Sequence, residues 1–200
     1  MSIRVAIFDD NKNIRNSIIL LLNIDPDFEM VGSFSDAVNC VEKVLSCQPD
    51  IVLIDIEMPQ VNGIDAIKKL KKEIPRIDII IQTVFEDEEK IFASLKAGAT
   101  CYILKSGLSH VGEAIRETHS GGAMMMSWVA REILNIHNLT SHGKVSALDG
   151  QHLTRQDCEI LGQLVIGQSY TIIAQQMKTS PDLLKELVKK IYQKLHLINQ

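Results

Sequence analysis

The strongest constraint on this chain is a rhythm. Over its first 120 residues, short β-branched or apolar runs alternate five times with longer stretches of helical length and spacing. Strands are expected at Ile3 to Phe8, Met30 to Phe34, Ile51 to Ile54, Ile77 to Gln82 and Cys101 to Leu104. Helices are expected at Ile14 to Leu22, Ala37 to Leu45, Ile64 to Glu73, Glu88 to Ala97 and Val111 to His119. A helix after every strand carries the chain back over the sheet, so the strands run parallel and both faces are covered.

The rhythm then stops. Ser120-Gly121-Gly122 breaks it, a short amphipathic stretch runs from Met126 to Ile136, and Asn138 to His152 is polar and rich in Ser, Thr, Gly and His. Beyond lie three helical segments, Arg155 to Ile166, Thr171 to Met177 and Pro181 to His196. Thr154, Ser169 and Ser180 are good N-cap residues, and Pro181 sits where a first-turn proline costs no hydrogen bond. The expected organisation is an α/β domain over 1–122, a linker with a short helix over 123–152 and an all-helical domain over 153–200. Met124-Met125-Met126 and Trp128 read as packing between the last helix of the first domain and the linker, not as a cofactor box.

Composition removes other classes. The 200 residues are 46% hydrophobic and 23% charged, which excludes wholesale disorder and a fibrous repeat. No apolar run approaches the roughly 20 residues of a membrane span. Asp9-Asp10 follows the start too closely for a secretory signal, so a cytoplasmic protein without membrane contact is expected. The four cysteines lack C-x-x-C spacing and read as unpaired, buried or half-buried thiols. The net charge of -4 divides unevenly: residues 1–150 carry 15 Lys+Arg against 21 Asp+Glu, and residues 151–200 carry 6 against 4. A mildly basic tail behind an acidic body is compatible with nucleic-acid contact by the tail.

In a doubly wound sheet, ligands bind at the carboxyl ends of the strands. Four of these ends carry polar residues: Asp9-Asp10, Asp55, Thr83 and Lys105. Three converging carboxylates repel one another unless a hard cation sits between them, and Mg2+ suits such a set. A carboxylate beside that metal can act as the nucleophile in phosphoryl transfer, and the central-strand Asp55 is best placed. The Thr83 hydroxyl is suited to hydrogen-bonding one phosphoryl oxygen, and the Lys105 ammonium to neutralising another.

With these residues in order, the first 122 positions resemble the receiver domain of two-component response regulators. The resemblance rests on Asp9-Asp10, on Asp55-Ile-Glu-Met58-Pro59-x-x-x-Gly63, on Thr83, and on Gly98-Ala99-x-x-Tyr102-x-x-Lys105. It implies a flavodoxin-like five-stranded parallel sheet and phosphoryl transfer from a sensor histidine kinase to Asp55. It further implies Mg2+ held by Asp10, Asp55 and the backbone carbonyl of Glu57, with Asp9 helping through water. By the family mechanism, Thr83 is drawn to the phosphoryl group and Tyr102 rotates inward, biasing an existing two-state equilibrium.

Two positions depart from the family pattern: Val84 stands where Ala or Gly is usual, and Ser106 where proline is common. Val84 is expected to slow phosphoryl entry or hydrolysis. A dehalogenase-like phosphatase also uses an acid after a strand, but Asp55-Ile-Glu57 lacks the second aspartate of that scheme. Pro59 stands where that scheme wants a small hydroxyl or apolar residue, and Asp9-Asp10 would have no role, so turnover of an external phosphoester ranks low. The chain is expected to be a phosphoacceptor with at most slow self-phosphorylation and self-dephosphorylation, not an enzyme.

Residues 153–197 resemble the LuxR-type helix-turn-helix of the NarL/FixJ group. The match runs through Leu153-Thr154, Glu159-Ile160-Leu161, Gly167-x-Ser169-x-x-x-Ile173-Ala174, Ser180, Val188, Ile191 and Lys194-Leu195. On a wheel of the last helix, Leu184, Val188, Ile191 and Leu195 share the core face. The resemblance implies major-groove contacts by Lys185 and Lys189, phosphate contacts by Lys190 and Lys194, and Glu186 as an acceptor from cytosine N4. The resulting expectation is a phosphorylated homodimer bound to promoter DNA. The alternative is a signalling adaptor whose divergent helix-turn-helix binds protein, because Leu183 and Leu187 one turn apart make a modest sticky patch.

Overall fold

The structure is a computed structural model that describes residues 2–84, 88–141 and 153–196. Its Cα framework divides into two compact units, one ending at Ser120 and the other beginning at Gly121. The first unit alternates β1 (Ile3–Phe8), α1 (Lys12–Asn23), β2 (Phe28–Phe34), α2 (Cys40–Cys47), β3 (Ile51–Ile54), α3 (Gly63–Glu73), β4 (Asp78–Thr83), α4 (Glu88–Lys96), β5 (Cys101–Leu104) and α5 (Val111–His119). A 3-10 turn over Lys105–His110 joins β5 to α5.

All the strand pairings are parallel, in the order β2-β1-β3-β4-β5. The strands nearest the centre are the most apolar, and Val5 to Phe8, Ile51 to Ile54 and Ile79 to Ile81 are all at 0% exposure. A strand sealed on both faces has no use for alternation, which is why these runs are continuous. The chain leaves β1 toward β2 on one side and reaches β3 on the other, so the carboxyl ends of β1 and β3 open into the crevice of a topological switch point. Asp9 and Asp55 follow those two strands directly.

Local chemistry sets the helix starts. The Asn11 side chain accepts from the Asn13 and Ile14 amides at 3.0 and 3.3 Å, and Asn62 accepts from Ile64 at 2.8 Å. Cap by cap, β2 begins at Phe28, earlier than expected, and α2 begins at Cys40, later than expected. The delay has a cause: Asp36 accepts from the Val38 amide at 3.0 Å, and Asn39 takes a left-handed φ of 51°.

The second unit contains α6 (Ser127–Ser141), α7 (Arg155–Val165), α8 (Tyr170–Gln176) and α9 (Pro181–His196). Thr154 and Asp157 form a reciprocal capping box at the start of α7. Gly167, at φ +78°, turns the chain toward α8, a geometry that glycine adopts without strain. Ile160, Leu161, Leu164, Ile173, Ala174, Leu184, Val188, Ile191 and Tyr192 form the core. The short helix expected within the linker is α6, which runs further than expected, to Ser141, and packs on α7, burying Val129, Ala130 and Ile133. Before α6, the Tyr170 hydroxyl donates to the Ala123 carbonyl at 3.2 Å and accepts from the Met125 amide at 2.9 Å. The Tyr192 hydroxyl donates to the Met124 carbonyl at 3.1 Å. The methionine run is therefore tied to α8 and α9. Residues 142–152, the remainder of the expected linker, lie outside the described residues, as does the side chain of Leu195.

The four cysteines are free, Cys40 and Cys101 buried and Cys47 and Cys158 half-buried. Among the described residues no helix is long and apolar enough to cross a membrane.

Candidate functional site

The crevice brings together the residues that the sequence scatters over a hundred positions. Asp9 and Asp55 are buried at the ends of β1 and β3, Thr83 is the buried last residue of β4, and Lys105 follows β5. The Lys105 ammonium lies 2.7 Å from Asp9 Oδ2 and 2.7 Å from Asp55 Oδ2. Its side chain is 7% exposed, so both ion pairs are shielded from water. Asp10 is exposed at the rim, and one oxygen from each of Asp9, Asp10 and Asp55 lies within 4.8 Å of the others.

The surrounding backbone holds this set in place. Asp9 Oδ1 accepts from the Asn11 amide at 2.8 Å. The Arg15 guanidinium donates to the Asp9 and Asp10 carbonyls at 2.6 and 3.1 Å, pinning the acidic pair. Gly63 packs so tightly under the Asp55 loop that an added Cβ would stand 2.0 Å from the Asp55 carbonyl oxygen. Only glycine fits there, which gives a physical reason for that residue in the motif. The Glu57 carboxylate pairs with Lys90 of α4 at 2.5 Å.

The electrostatics follow from burial and neighbours. Burial pushes the Asp55 carboxyl above the usual carboxylate range, Lys105 opposes this, and the charge of Asp9 adds to it. Burial works to lower the Lys105 ammonium, but the hydrogen bonds and charges of Asp55 and Asp9 outweigh it and hold the group above the usual lysine range. Asp55 Oδ1 is buried with no hydrogen-bond partner among the described residues. An orphaned carboxylate oxygen beside two further acids is an all-oxygen donor set of the kind a hard divalent cation takes, so the residues fit such an ion.

Sequence reasoning missed Gln82. It is wholly buried one residue before Thr83, and its Nε2 lies 3.4 Å from Asp9 Oδ2. The only signal is an amide inside an isoleucine run. Tyr102, expected to rotate inward, already lies at 0% exposure in β5. Val84 is 64% exposed.

On α9, Leu184, Val188 and Ile191 are buried as the helical wheel predicts. Lys185 and Lys189 are half-buried, Glu186 and Lys190 are exposed, and Lys185 lies 3.9 Å from Asp182. Lys194 differs from its expected place among outward phosphate contacts, because it pairs with the buried Asp157 of α7. Burial works to raise the Asp157 carboxyl, but Lys194 and both the hydroxyl and amide of Thr154 outweigh it, so the group sits below the usual range. Leu183 is 45% exposed.

Known proteins are similar to this chain over most of its length. Residues 5–116 match the family model described as the response regulator receiver domain. The chain is 30% identical over 194 residues to the transcriptional regulatory protein LiaR of Bacillus subtilis, covering 96% of this chain and 90% of that one. It is 28% identical over 208 residues to the transcriptional regulatory protein DegU of Brevibacillus brevis, covering 98% and 88%. Among solved structures, it is similar to the response regulator ChrA of a heme-sensing two-component system, with 28% identity, a TM-score of 0.57 and coverage of 96% and 90%. The switch-point crevice, its acid–lysine set and a match over more than half the length converge on one conclusion, that this chain belongs to the response regulator receiver family.

Proposed function

We propose that the chain is a response regulator that accepts a phosphoryl group on Asp55 from a sensor histidine kinase and regulates transcription through its helical unit. The observation that carries the first half is Asp55 itself, with Oδ2 on Lys105 and Oδ1 buried without a partner at a strand end. Oδ1 attacks the phosphorus of a phosphohistidine, the P–N bond breaks, and the imidazole leaves while an acyl phosphate forms. Lys105 moves its charge onto a phosphoryl oxygen and the Thr83 hydroxyl donates to another, with Tyr102 filling the space behind it. Asp10, Asp55 and the Glu57 carbonyl would hold Mg2+, with Asp9 assisting through water. When bound, the ion offsets the negative charge of the phosphoryl oxygens. Self-phosphorylation and self-dephosphorylation are assigned as slow side reactions of this acceptor.

For the second half, support comes from relatives named as transcriptional regulatory proteins that match nearly the whole chain, and from the helix-turn-helix order of α7 to α9. Lys185, Glu186 and Lys189 are assigned to base edges and Lys190 to phosphate, on a homodimer formed by phosphorylation. Lys194 is assigned to Asp157 instead. A second reading, a module that binds protein, is favoured by the exposure of Leu183, Ile172 and Ile166 in the same unit.

Fluorescence anisotropy of a labelled duplex, at several salt concentrations with and without Mg2+ and a small acyl-phosphate donor, tests this. DNA binding that weakens with salt, strengthens with the donor and is lost in Lys185→Ala/Lys189→Ala is expected. Confirmed phosphorylation with no binding across a random duplex library would favour the protein-binding reading.

A further inference from the structure

Strand β4 reads Asp78-Ile-Ile-Ile-Gln82-Thr83 and is sealed between β3 and β5. Gln82 is as buried as the isoleucines before it, at 0% exposure. An amide in a strand covered on both faces displaces an apolar side chain that would pack there without polar cost, so the amide calls for a function. Its Nε2 lies 3.4 Å from Asp9 Oδ2, and its Oε1 is buried with no donor among the described residues. The orientation is set by charge: turned over, the amide oxygen would face a carboxylate oxygen that is already drawn to Lys105.

Asp9 Oδ2 therefore faces two donors of different kinds, a mobile ammonium and an amide anchored in the sheet. Lys105 is shared with Asp55 at the same 2.7 Å distance. When its charge moves to a phosphoryl group on Asp55, Asp9 Oδ2 loses its ammonium partner and keeps the Gln82 amide. Gln82 cannot follow, because the strand holds it.

We propose that Gln82 is a positioning residue of the phosphoryl-acceptor site, which acts through Asp9 by holding its carboxylate in the cation-binding orientation as Lys105 is released. This rests on the phosphoacceptor reading of Asp55. Gln82 touches neither phosphorus nor the reacting carboxylate, and the strand supplies its fixed position.

The test is a thermodynamic cycle on the full chain, read by Mg2+ affinity from calorimetry, by phosphorylation with a small acyl-phosphate donor and by the urea midpoint. Gln82→Met keeps the volume and removes the amide. It is expected to weaken Mg2+ binding about tenfold, in the range of lost outer-shell contacts, and to slow phosphorylation without lowering the urea midpoint. In an Asp9→Asn background the same substitution should make no further difference to Mg2+ affinity. Unchanged affinity in Gln82→Met, or an equal loss in the Asp9→Asn background, would overturn the proposal. A wild-type chain that binds Mg2+ but takes no phosphoryl group would instead overturn the phosphoacceptor reading, while the cycle in Mg2+ affinity still decides whether Gln82 acts through Asp9.

Discussion

Each unit contains a buried aspartate held by a lysine, and the two pairs are settled differently. Asp157 takes Lys194, the Thr154 hydroxyl and the Thr154 amide, and its carboxyl lies below the usual range. Asp55 shares one lysine with Asp9, has an orphaned Oδ1, and lies above the usual range. Asp157 gathers three donors on its Oδ2, one of them from α9, so it works as a joint between α7 and α9. Asp55 is left short of donors, so it is held ready for something that will complete it. The lesson is that an ion pair alone says little; the count of donors around the carboxylate separates structure from chemistry.

The widest separation between the two pairs should come from their asparagine variants. Asp55→Asn is expected to abolish the acyl-phosphate adduct completely, and Asp157→Asn to leave it intact, as read on a phosphate-affinity gel after treatment with the donor. Next in size is the loss of each lysine. Lys105→Ala strands two buried carboxylates and should cost about 3 kcal/mol or more, whereas Lys194→Ala should cost about 1–2 kcal/mol because Thr154 still serves Asp157. Urea midpoints measure both, and a larger loss in Lys194→Ala would break the comparison.

The pH dependences should have opposite signs. The depressed Asp157 carboxyl contributes stability that is present above the usual carboxylate range and lost as pH falls through its lower folded value. The raised Asp55 carboxyl contributes stability that is present at low pH and lost as pH rises through its higher folded value. Melting temperatures across the acid range should therefore lose a decline toward low pH in Asp157→Asn, and lose a decline toward neutral pH in Asp55→Asn. The smallest effect belongs to Val84→Ala, which should speed dephosphorylation only a few-fold, since the valine is 64% exposed beside the crevice. An indistinguishable rate in a time course of adduct decay would remove Val84 from the site.

The same contrast governs what could be read from sequence. β3 and β5 are continuous apolar runs and β1 is interrupted only by Arg4, and their ends are where the residue pattern puts them. Parallel pairing then carries Asp9, Asp55, Thr83 and Lys105 to one edge whatever their side chains do, so most of the crevice was legible. Gln82 was not, because an amide at the end of an isoleucine run looks like the end of the strand. The pairing of Lys194 was not legible for a tertiary reason: a helical wheel assigns it to the outer arc, while its partner Asp157 lies 37 positions away on another helix. Tyr170 and Tyr192 were missed in the same way, since nothing local announces that their hydroxyls bind the backbone of residues 123–125.

The shared lysine has an electrical consequence. Three carboxylates and the one ammonium between them sum to two formal negatives, with the Arg15 guanidinium on the backbone behind them. A divalent ion brings that sum to zero, and replacing the single charge of Asp55 by the roughly two of a phosphoryl group moves it by only about one unit. On the phosphoacceptor reading, these groups would act as a charge buffer, the sum staying within about two units of zero. With the ammonium already in place, the four groups would reach neutrality on taking up one divalent ion.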